Sequence, residues 1–454
     1  MNLTAEEIAR ACGGELVCDK NIRINDITTD SRKAKSGSLF IALVGERFDG
    51  HDFIGSVFEA GANLALVNEG YAVKENQPVI KVENTLTALG DIAKYYKEKF
   101  TLRTIAVTGS VGKTTTKDML SSVLSEKYNT LTTRGNFNNN IGMPLTIFNL
   151  DETHETALLE MGMNNFGEIH YLANIARPDT AIISNIGMSH IENLGSRGGI
   201  LKAKLEICDF FDDKSTLIIN GDDDMLYPAT RNMPFKVISF GIENPQADVR
   251  AYDIEDKGTD GVEFSVKAGG AEHRICVRTA GAHNVYNALA AICAGIHYGI
   301  DMERIKAGIA NFTPTGMRMS IEDIGGVTVI NDCYNSSPAS VEAALKVLNG
   351  IKAERRVAIL GDMLEMGSYA KDAHFNTGVL AAKYADCLLC AGKESENTKR
   401  GAEEKGMSET YIFENSQTLA GFAAEYVKKG DAVLIKASRG MKFENVYNTL
   451  KEKI

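Results

Sequence analysis

The sequence lacks the features that direct a chain to a membrane or to nucleic acid. No apolar run approaches the ~18 residues of a membrane-spanning helix. The first residues are no secretory signal, because Glu6 and Arg10 interrupt them, and Thr4 with Glu7 fits the capping box of a short helix. The net charge of −11 provides no basic stripe. We expect a cytoplasmic protein with no membrane span and no nucleic-acid partner.

The cysteines form neither a disulfide framework nor a metal-site pattern. The chain has eight, scattered along its length, and Cys293 lies in an apolar segment. Cys387 and Cys390 have C-x-x-C spacing, but they fall in a predicted buried strand and no second pair accompanies them. Metal or redox use is the alternative. We expect reduced thiols of a cytosolic protein.

Length and element order predict three α/β domains, since 454 residues correspond to about three units of ~150 residues. Residues 1–100 predict a small mixed domain, with strands at Ser38–Leu43 and Leu64–Val67 and a closing helix at Thr85–Phe100.

Residues 101–313 predict a central domain with a mainly parallel sheet, because short apolar strands alternate with helical patterns. From about 247 to 279 the period becomes two, which predicts antiparallel strands, and a helix at His283–Tyr298 follows. The predicted strands are Arg103–Val107, Thr156–Leu159, Thr180–Asn185, Thr216–Asn220, Lys236–Phe240, Val262–Val266 and Arg274–Val277.

Residues 314–454 show the clearest alternation of strands and helices, which predicts a doubly wound parallel sheet. Ligands of such sheets lie beyond the carboxyl ends of the strands, so Asp332, Asp362 and Lys436 are candidates. Phe312–Gly316 is the predicted hinge to this domain. The predicted strands are Val327–Asn331, Arg356–Leu360, Asp386–Cys390, Thr410–Phe413 and Ala432–Ile435.

One segment has the context of a phosphate-binding loop, after a strand and before a helical pattern. Its glycines let backbone N–H groups turn toward phosphate oxygens at a helix N-terminus. Lys113 can neutralise the β and γ phosphates, and the Thr114 hydroxyl can hold magnesium. Val107 replaces the first glycine of the standard pattern, and a chance turn is the alternative. The predicted loop residues are Thr108, Gly109, Ser110, Val111, Gly112, Lys113, Thr114 and Thr115.

Two further residues follow strands that end at the same edge as this loop. Glu160 and His190 supply a carboxylate and an imidazole there, which could ligate magnesium. The asparagine-rich segment 135–142 fits either a turn or a phosphate or sugar contact. The acids at 222–224 resemble a metal cluster, but we interpret them as residues of a helix N-terminus.

Together these residues resemble the Mur ligase family over nearly the whole chain. The resemblance implies magnesium bound by Thr114, Glu160, His190 and Lys204. Lys204, rather than Lys202, is implied to carry a carbamate, because its spacing from His190 fits the carbamylated lysine of the family better. The implied catalytic residues are Lys113, Glu160, His190 and Lys204; the further implied ATP contacts are Asn138, Asn284, Asn287, Arg318 and Asp332.

Within the family, the segments that contain Asp30–Arg32 and Phe48–Gly50 resemble the UDP-binding domain of two members. One of these ligases adds the third residue of the peptide, and the other adds its terminal dipeptide. Gly361–Gly367 and Lys436–Arg439 resemble the dipeptide-adding member, although Ala437 replaces a glycine. The implied UDP-substrate contacts are Asp30, Ser31, Arg32, Phe48, Asp49 and Gly50; the implied dipeptide contacts are Asp362, Glu365, Lys436 and Arg439.

The resemblance thus implies a UDP-muramyl-peptide-binding domain at 1–100, an ATP-binding domain at 101–313 and a Rossmann-like domain binding the dipeptide at 314–454. The implied reaction is the ATP- and Mg²⁺-dependent addition of D-alanyl-D-alanine to a UDP-muramyl tripeptide, through an acyl phosphate. We expect the protein to be a monomer. The alternatives are a third-residue-adding Mur ligase, a folylpolyglutamate synthetase-like ligase, or an assembly ATPase without an amino-acid substrate.

Overall fold

The computed structural model describes residues 1–74, 77–314 and 316–454, which form three main sheets of chiefly parallel strands. The predicted capping box is present, since Thr4 and Glu7 each accept a hydrogen bond from the other's backbone N–H. Thr315 of the predicted hinge lies outside the described residues. No described helix is both long and apolar enough to cross a membrane.

The first sheet lies in the N-terminal part of the chain. Its strands are β2 (Glu15–Val17), β4 (Asp26–Thr28), β5 (Ser38–Ile41), β6 (Leu64–Asn68) and β7 (Val79–Val82), and a separate antiparallel pair consists of β1 (Leu3–Thr4) and β3 (Arg23–Ile24). The order is β2-β7-β6-β5-β4, with β2 antiparallel and the others parallel. The helices are α1 (Ala5–Cys12), α2 (Ile54–Glu59) and α3 (Thr85–Glu98).

The central sheet has nine strands in the order β16-β15-β14-β13-β12-β11-β8-β10-β9. They are β8 (Arg103–Thr108), β9 (Thr130–Thr132), β10 (Thr156–Glu160), β11 (Thr180–Ile183), β12 (Thr216–Asn220), β13 (Lys236–Gly241), β14 (Val249–Asp256), β15 (Val262–Ala268) and β16 (Ala271–Val277). All pairs are parallel except β14–β15 and β15–β16, as the change to period two predicted.

The helices around the central sheet are α4 (Lys113–Ser125), α5 (Gly142–Ile147), α6 (Glu168–Ala176), α7 (Ile191–Leu194), α8 (Arg197–Leu205), α9 (Leu226–Thr230), α10 (Asn284–His297) and α11 (Met302–Ala310). One hydrophobic cluster joins this domain to the first sheet. Within it, α3 presents Leu89, Ile92 and Tyr96 on one face, spaced three and four residues apart. The Tyr96 hydroxyl donates to the Leu150 carbonyl at 2.7 Å. The two sheets therefore share a core, and the boundary at residue 100 stays a prediction.

The C-terminal sheet has the order β17-β18-β22-β19-β20-β21 and helices on both faces. Its strands are β17 (Ser320–Ile324), β18 (Val327–Asn331), β19 (Arg355–Gly361), β20 (Cys387–Ala391), β21 (Thr410–Phe413) and β22 (Asp431–Lys436); its helices are α12 (Pro338–Gly350), α13 (Ala370–Tyr384), α14 (Ser395–Glu404), α15 (Ser416–Tyr426) and α16 (Glu444–Lys453). Only the edge strand β17, which the sequence did not predict, is antiparallel. All eight cysteines are free, and four are buried.

Candidate active site

Three neighbouring parallel strands bring the predicted residues of the central domain to one edge. β8 leads into the glycine-bearing loop, β10 ends at Glu160, and β11 leads into the segment that reaches His190. β8 lies between the other two, with Glu160 opposite Val107 and Ile183 opposite Thr108. The predicted shared edge is therefore present, at the carboxyl ends of the strands.

Two glycines give the loop its shape. Gly109 has a φ of 153°, and a Cβ atom there would lie 1.9 Å from Ser184 Oγ. Gly112, with a φ of 84°, precedes α4, whose first N–H groups and positive dipole end favour an anion. Lys113 Nζ donates to the Gly109 carbonyl at 2.8 Å. Burial lowers the pKa of the Lys113 ammonium, and the nearby Glu160 carboxylate opposes this effect.

Residues after β11 hold the loop in place, and the sequence analysis missed them. Asn185 accepts a hydrogen bond from Val111 N–H at 3.0 Å, and the Ser184 hydroxyl donates to the Val111 carbonyl at 2.6 Å. Gly187 N–H donates to Ser110 Oγ at 2.8 Å. The available signal was the position of Ser184 and Asn185 at the end of a parallel strand beside the loop.

Glu160 is the best-supported candidate ligand for magnesium. It is 1% exposed, and its two oxygens accept hydrogen bonds from Thr114 Oγ1 and Asn138 Nδ2, each at 2.7 Å. A hydroxyl and a carboxylate side by side at the phosphate loop are oxygen donors of the kind Mg²⁺ prefers, so the residues fit the ion. Among residues 1–74, 77–314 and 316–454 no three His, Cys, Asp or Glu form a metal cage. Phosphate and water would complete the coordination shell, as is usual for Mg²⁺.

The two lysines of α8 differ sharply. Lys204 is 1% exposed, and no described residue forms a hydrogen bond or an ion pair with its Nζ. Burial lowers the pKa of Lys204 well below its ordinary value, and the charge of Lys113 lowers it further. Lys202 is exposed, with its Nζ 5.9 Å from the centre of the Phe166 ring. The buried amine is thus Lys204.

Asn284 and Asn287, two of the implied ATP contacts, support α4, the helix that follows the phosphate loop. Thr116 Oγ1 donates to Asn287 at 3.0 Å, Asn287 donates to Asn284 at 2.9 Å, and Asn284 donates to the Ala280 carbonyl at 2.9 Å. Both asparagines are buried, although they line the cavity described below. Thr108 is likewise buried, and its hydroxyl donates to the Met161 carbonyl at 2.9 Å. These contacts are structural, and the direct nucleotide contacts stay predictions.

A cavity of about 330 Å³ lies between the central and C-terminal domains. Its central-domain wall contains the phosphate loop, Asn138, Glu160 and His190; its C-terminal wall contains Arg318, Asp332 and Lys436. Tyr334 also lines the cavity and was missed by the sequence analysis; the Arg318 guanidinium lies 4.1 Å from the centre of its ring. Two of these predicted residues pair with each other, because Lys436 Nζ donates to Asp332 at 2.6 Å. The buried Lys436 ammonium therefore already has a counter-ion.

The loops predicted to bind the dipeptide meet, since Ser438 N–H donates to the Asp362 carbonyl at 3.2 Å. The Asp362 carboxylate, however, is buried and accepts hydrogen bonds from the backbone N–H groups of Lys393 and Glu394, at 2.7 and 3.1 Å. These N–H groups lie just before α14, so Asp362 holds the turn that leads into this helix.

The other two predicted dipeptide contacts also have partners. The Glu365 carboxylate contacts His190 Nδ1 of the central domain, and this contact holds the pKa of Glu365 below its ordinary value. Arg439 is paired with Glu444 at 3.2 Å and is 56% exposed. Arg439 and Glu365 keep exposed side chains, whereas Asp362 and Lys436 are buried, and all four dipeptide contacts stay predictions.

The predicted UDP contacts follow β4 and β5, two adjacent parallel strands. Asp30 and Arg32 form a bidentate pair with two distances of 2.9 Å, and the Arg32 side chain is 87% exposed. Phe48 is 73% exposed. Gly50 packs so closely on Leu43 that a Cβ atom would lie 2.7 Å from the Leu43 nitrogen. None of the six predicted residues lines the cavity between the other two domains.

His51 orders this second loop and was not singled out by the sequence analysis. Its Nδ1 lies 2.6 Å from the Asp49 carboxylate, and its Nε2 accepts the backbone N–H of Asn68 at 2.9 Å. The imidazole therefore ties Asp49 to the end of β6.

The acids at 222–224 have structural partners, as predicted, but only one of them caps a helix. Asp223 accepts the N–H of Leu226, at the start of α9, at 2.8 Å. Asp222 accepts the backbone N–H groups of residues 242–244, and Asp224 pairs with Arg197. The N–H of Ile186 donates to Asp223 and its carbonyl accepts from Arg197, so the acids also fix the segment leading to His190.

Comparison with known proteins identifies the family. Profiles of the Mur ligase middle domain, the Mur ligase glutamate ligase domain and the Mur ligase family catalytic domain match residues 107–295, 317–439 and 23–97. A relative from Bacillus subtilis, named UDP-N-acetylmuramoyl-tripeptide–D-alanyl-D-alanine ligase, is 41% identical over 94% of this chain and 93% of its own. The chain belongs to the Mur ligase family.

Solved structures of Mur ligases agree with this assignment. MurF from Acinetobacter baumannii superimposes with a TM-score of 0.92 at 31% identity, covering 100% of this chain and 99% of its own. MurF ligase from Thermotoga maritima in complex with ADP gives a TM-score of 0.82 at 27% identity, covering 94% and 97%. The predicted fold class, three α/β domains, is confirmed.

Proposed function

We propose that this chain is an ATP-dependent ligase that adds D-alanyl-D-alanine to a UDP-N-acetylmuramoyl tripeptide during peptidoglycan precursor synthesis. The observation that carries the proposal is similarity along almost the whole chain to enzymes of that name, at up to 41% identity. The site supports it independently, because a phosphate loop with a buried carboxylate lines a cavity between two domains. An assembly ATPase would explain the loop but not the similarity along the N- and C-terminal domains.

ATP fits the cavity between the central and C-terminal domains. The loop N–H groups and Lys113 would face its phosphates, while Arg318 and Tyr334 line the opposite wall. Phosphoryl transfer depends mainly on positioning and on neutralising charge, and these groups supply both. A relative bound to ADP supports nucleotide use by the same fold.

The proposed reaction has two steps. The terminal carboxylate of the tripeptide attacks the γ-phosphorus, the bond to the leaving ADP oxygen breaks, and an acyl phosphate forms. The amine of the dipeptide then attacks the acyl carbon and loses a proton, and inorganic phosphate leaves. Lys113 and the N-terminus of α4 stabilise the phosphate charge in the first step. Magnesium, held by Thr114, Glu160 and His190, would neutralise further phosphate charge.

We further propose that Lys204 is carbamylated by carbon dioxide. Its buried amine has a lowered pKa and no described partner, so the neutral, nucleophilic form is favoured in a place where an ammonium would be costly. A carbamate would supply oxygen ligands that an ammonium cannot. Incubation with ¹³C-labelled bicarbonate should give a carbamate carbon signal in wild-type protein and in Lys202→Ala, but not in Lys204→Ala.

The remaining assignments follow the domains. We propose that residues 1–100 bind the UDP-muramyl peptide through the loops after β4 and β5, and that residues 314–454 receive the dipeptide near Arg439. We propose a monomer as the active form. The exposed Arg32 and Phe48 side chains suit a diphosphate and a planar base.

The test is product mass after incubation with ATP, a UDP-muramyl acceptor and one amine. With the tripeptide, D-alanyl-D-alanine should be ligated far better than L-alanyl-L-alanine, D-alanine, L-lysine or diaminopimelate. Addition of a single L-lysine or diaminopimelate to the dipeptide acceptor would instead identify a third-residue ligase. ATP hydrolysis without any amide product would favour the assembly ATPase.

A further inference from the structure

His190 is in contact with the C-terminal domain, although it belongs to the central one. Its Nδ1 is buried and forms no hydrogen bond of regular geometry with a described residue, and the polar group beside it is the carboxylate of Glu365. The backbone joins at the same place, because Glu192 N–H donates to the Glu365 carbonyl at 3.2 Å. Met188 packs on the hydrophobic cluster of the C-terminal sheet, and a Cβ atom on Gly367 would lie 3.3 Å from Glu192. The segment Gly361–Gly367 is thus a docking segment against the loop that carries His190.

Both members of this contact have strained backbones. His190 has a φ of 62° and Glu365 a φ of 63°, in the left-handed region that residues other than glycine rarely adopt. Only six such residues occur in the part of the chain that the structure describes, and these two meet across a domain interface. Strain of this kind persists only where the surroundings hold it in place, and it concentrates at functional sites.

The carboxylate also favours one position for the imidazole proton. A carboxylate only accepts hydrogen bonds, so beside it a hydrogen on Nδ1 of the neutral ring is favoured over a lone pair. The lone pair is then on Nε2, for which no described residue is a partner, and the ring lines the nucleotide cavity. A carboxylate that orients a histidine in this way fixes both the tautomer and the direction of the ring.

We propose that Glu365 is a positioning residue of the active site, supplied by the C-terminal domain, which holds His190 as the Nδ1–H tautomer with Nε2 available to the nucleotide cavity. The role of Glu365 in catalysis rests on the proposed function, whereas the tautomer of His190 can be tested independently of that function. The site is therefore complete only when the C-terminal domain is docked. This role replaces the dipeptide contact that the family resemblance implied for Glu365.

The first test needs neither metal nor substrate. Nitrogen-15 NMR of the histidine side chains at alkaline pH distinguishes the two tautomers, and with eight histidines in the chain His190→Gln assigns the signal. We expect Nδ1–H in wild-type protein, in Glu192→Ala and in Glu365→Gln, whose amide oxygen still accepts. Glu365→Ala should shift the population toward Nε2–H. The proposal would be overturned if His190 were the Nε2–H tautomer in wild-type protein, or if its tautomer were unchanged in Glu365→Ala.

The second test separates positioning from substrate binding. Glu365→Ala should raise the Mg²⁺ concentration for half-maximal activity or lower kcat by about 10–100-fold, the usual effect of losing a residue that orients a metal ligand. KM for D-alanyl-D-alanine should stay unchanged, and Glu365→Gln should recover most of the loss. A raised KM for the dipeptide with unchanged Mg²⁺ dependence and kcat would show that Glu365 contacts the dipeptide instead. Inactive wild-type enzyme would refute the proposed function, while the NMR result would still judge the tautomer.

Discussion

Gly109→Ala is the change whose effect the phosphate loop predicts most directly. The new Cβ atom would lie 1.9 Å from Ser184 Oγ and 3.2 Å from the Ser184 nitrogen. Carbon and oxygen atoms in contact lie more than 3 Å apart, so the loop or Ser184 must move by about 1 Å. A misplacement of that size costs roughly 100-fold in rate when it affects groups that orient a reaction. The Gly109 carbonyl also anchors Lys113, so both move together.

The assay is ADP release with saturating acceptor and dipeptide, which yields kcat and KM for ATP. We expect kcat/KM for ATP to fall about 100-fold in Gly109→Ala while circular dichroism shows a folded protein. Gly421→Ala is the matched control, because it adds a methyl group to α15 where no atom lies within 4 Å; it should leave kinetics unchanged. Near-normal kcat/KM in Gly109→Ala would refute the loop assignment.

Three further changes test neighbouring features. Lys113→Ala should lower kcat at least about 100-fold in the same assay without unfolding the chain, as expected for the loss of one charge-stabilising group; near-normal turnover would contradict its phosphate role. Lys204→Ala should be almost inactive and partly rescued by formate or acetate, whereas rescue of Lys202→Ala would point to the other lysine. Asp222→Ala should lower the free energy of unfolding in urea by about 3 kcal/mol, because its carboxylate serves three backbone N–H groups and a tyrosine hydroxyl. The exposed Asp224→Ala should cost under about 1 kcal/mol, and an equal loss in both would contradict this account.

Most of the fold could be predicted because strand and helix signals are local. Buried parallel strands such as β8 and β19 are short apolar runs between helical patterns, and β15 and β16 show period two. The edge strand β17 was not predicted, because its partly exposed residues give only a weak pattern of hydrophobicity. The core shared by the first two sheets was not predicted either, since packing between distant segments leaves no local pattern in the sequence.

The candidate site divides in the same way. Positions at the ends of β8, β10 and β11 could be predicted, because topology alone places them at one edge. The partners of their side chains could not. Nothing in the sequence indicates the hydrogen bonds of Asn138 with Glu160, of Asn185 with the phosphate loop, or of Asn287 with the helix that follows this loop. Each of these bonds joins residues that are far apart along the chain.

The C-terminal segment Gly361–Gly367 shows that a family resemblance identifies a characteristic segment more reliably than it assigns a role to each residue of that segment. The resemblance identified this segment as characteristic and assigned Asp362 and Glu365 to the dipeptide. In the structure Asp362 accepts the backbone N–H groups just before α14 and Glu365 reaches His190, so both acids face protein groups. Docking against the central domain, as Glu365 does, is a second requirement on this segment besides any contact with substrate. The substrate preference of such a segment can therefore arise from how it closes the site, with the direct contacts left to exposed cations such as Arg439.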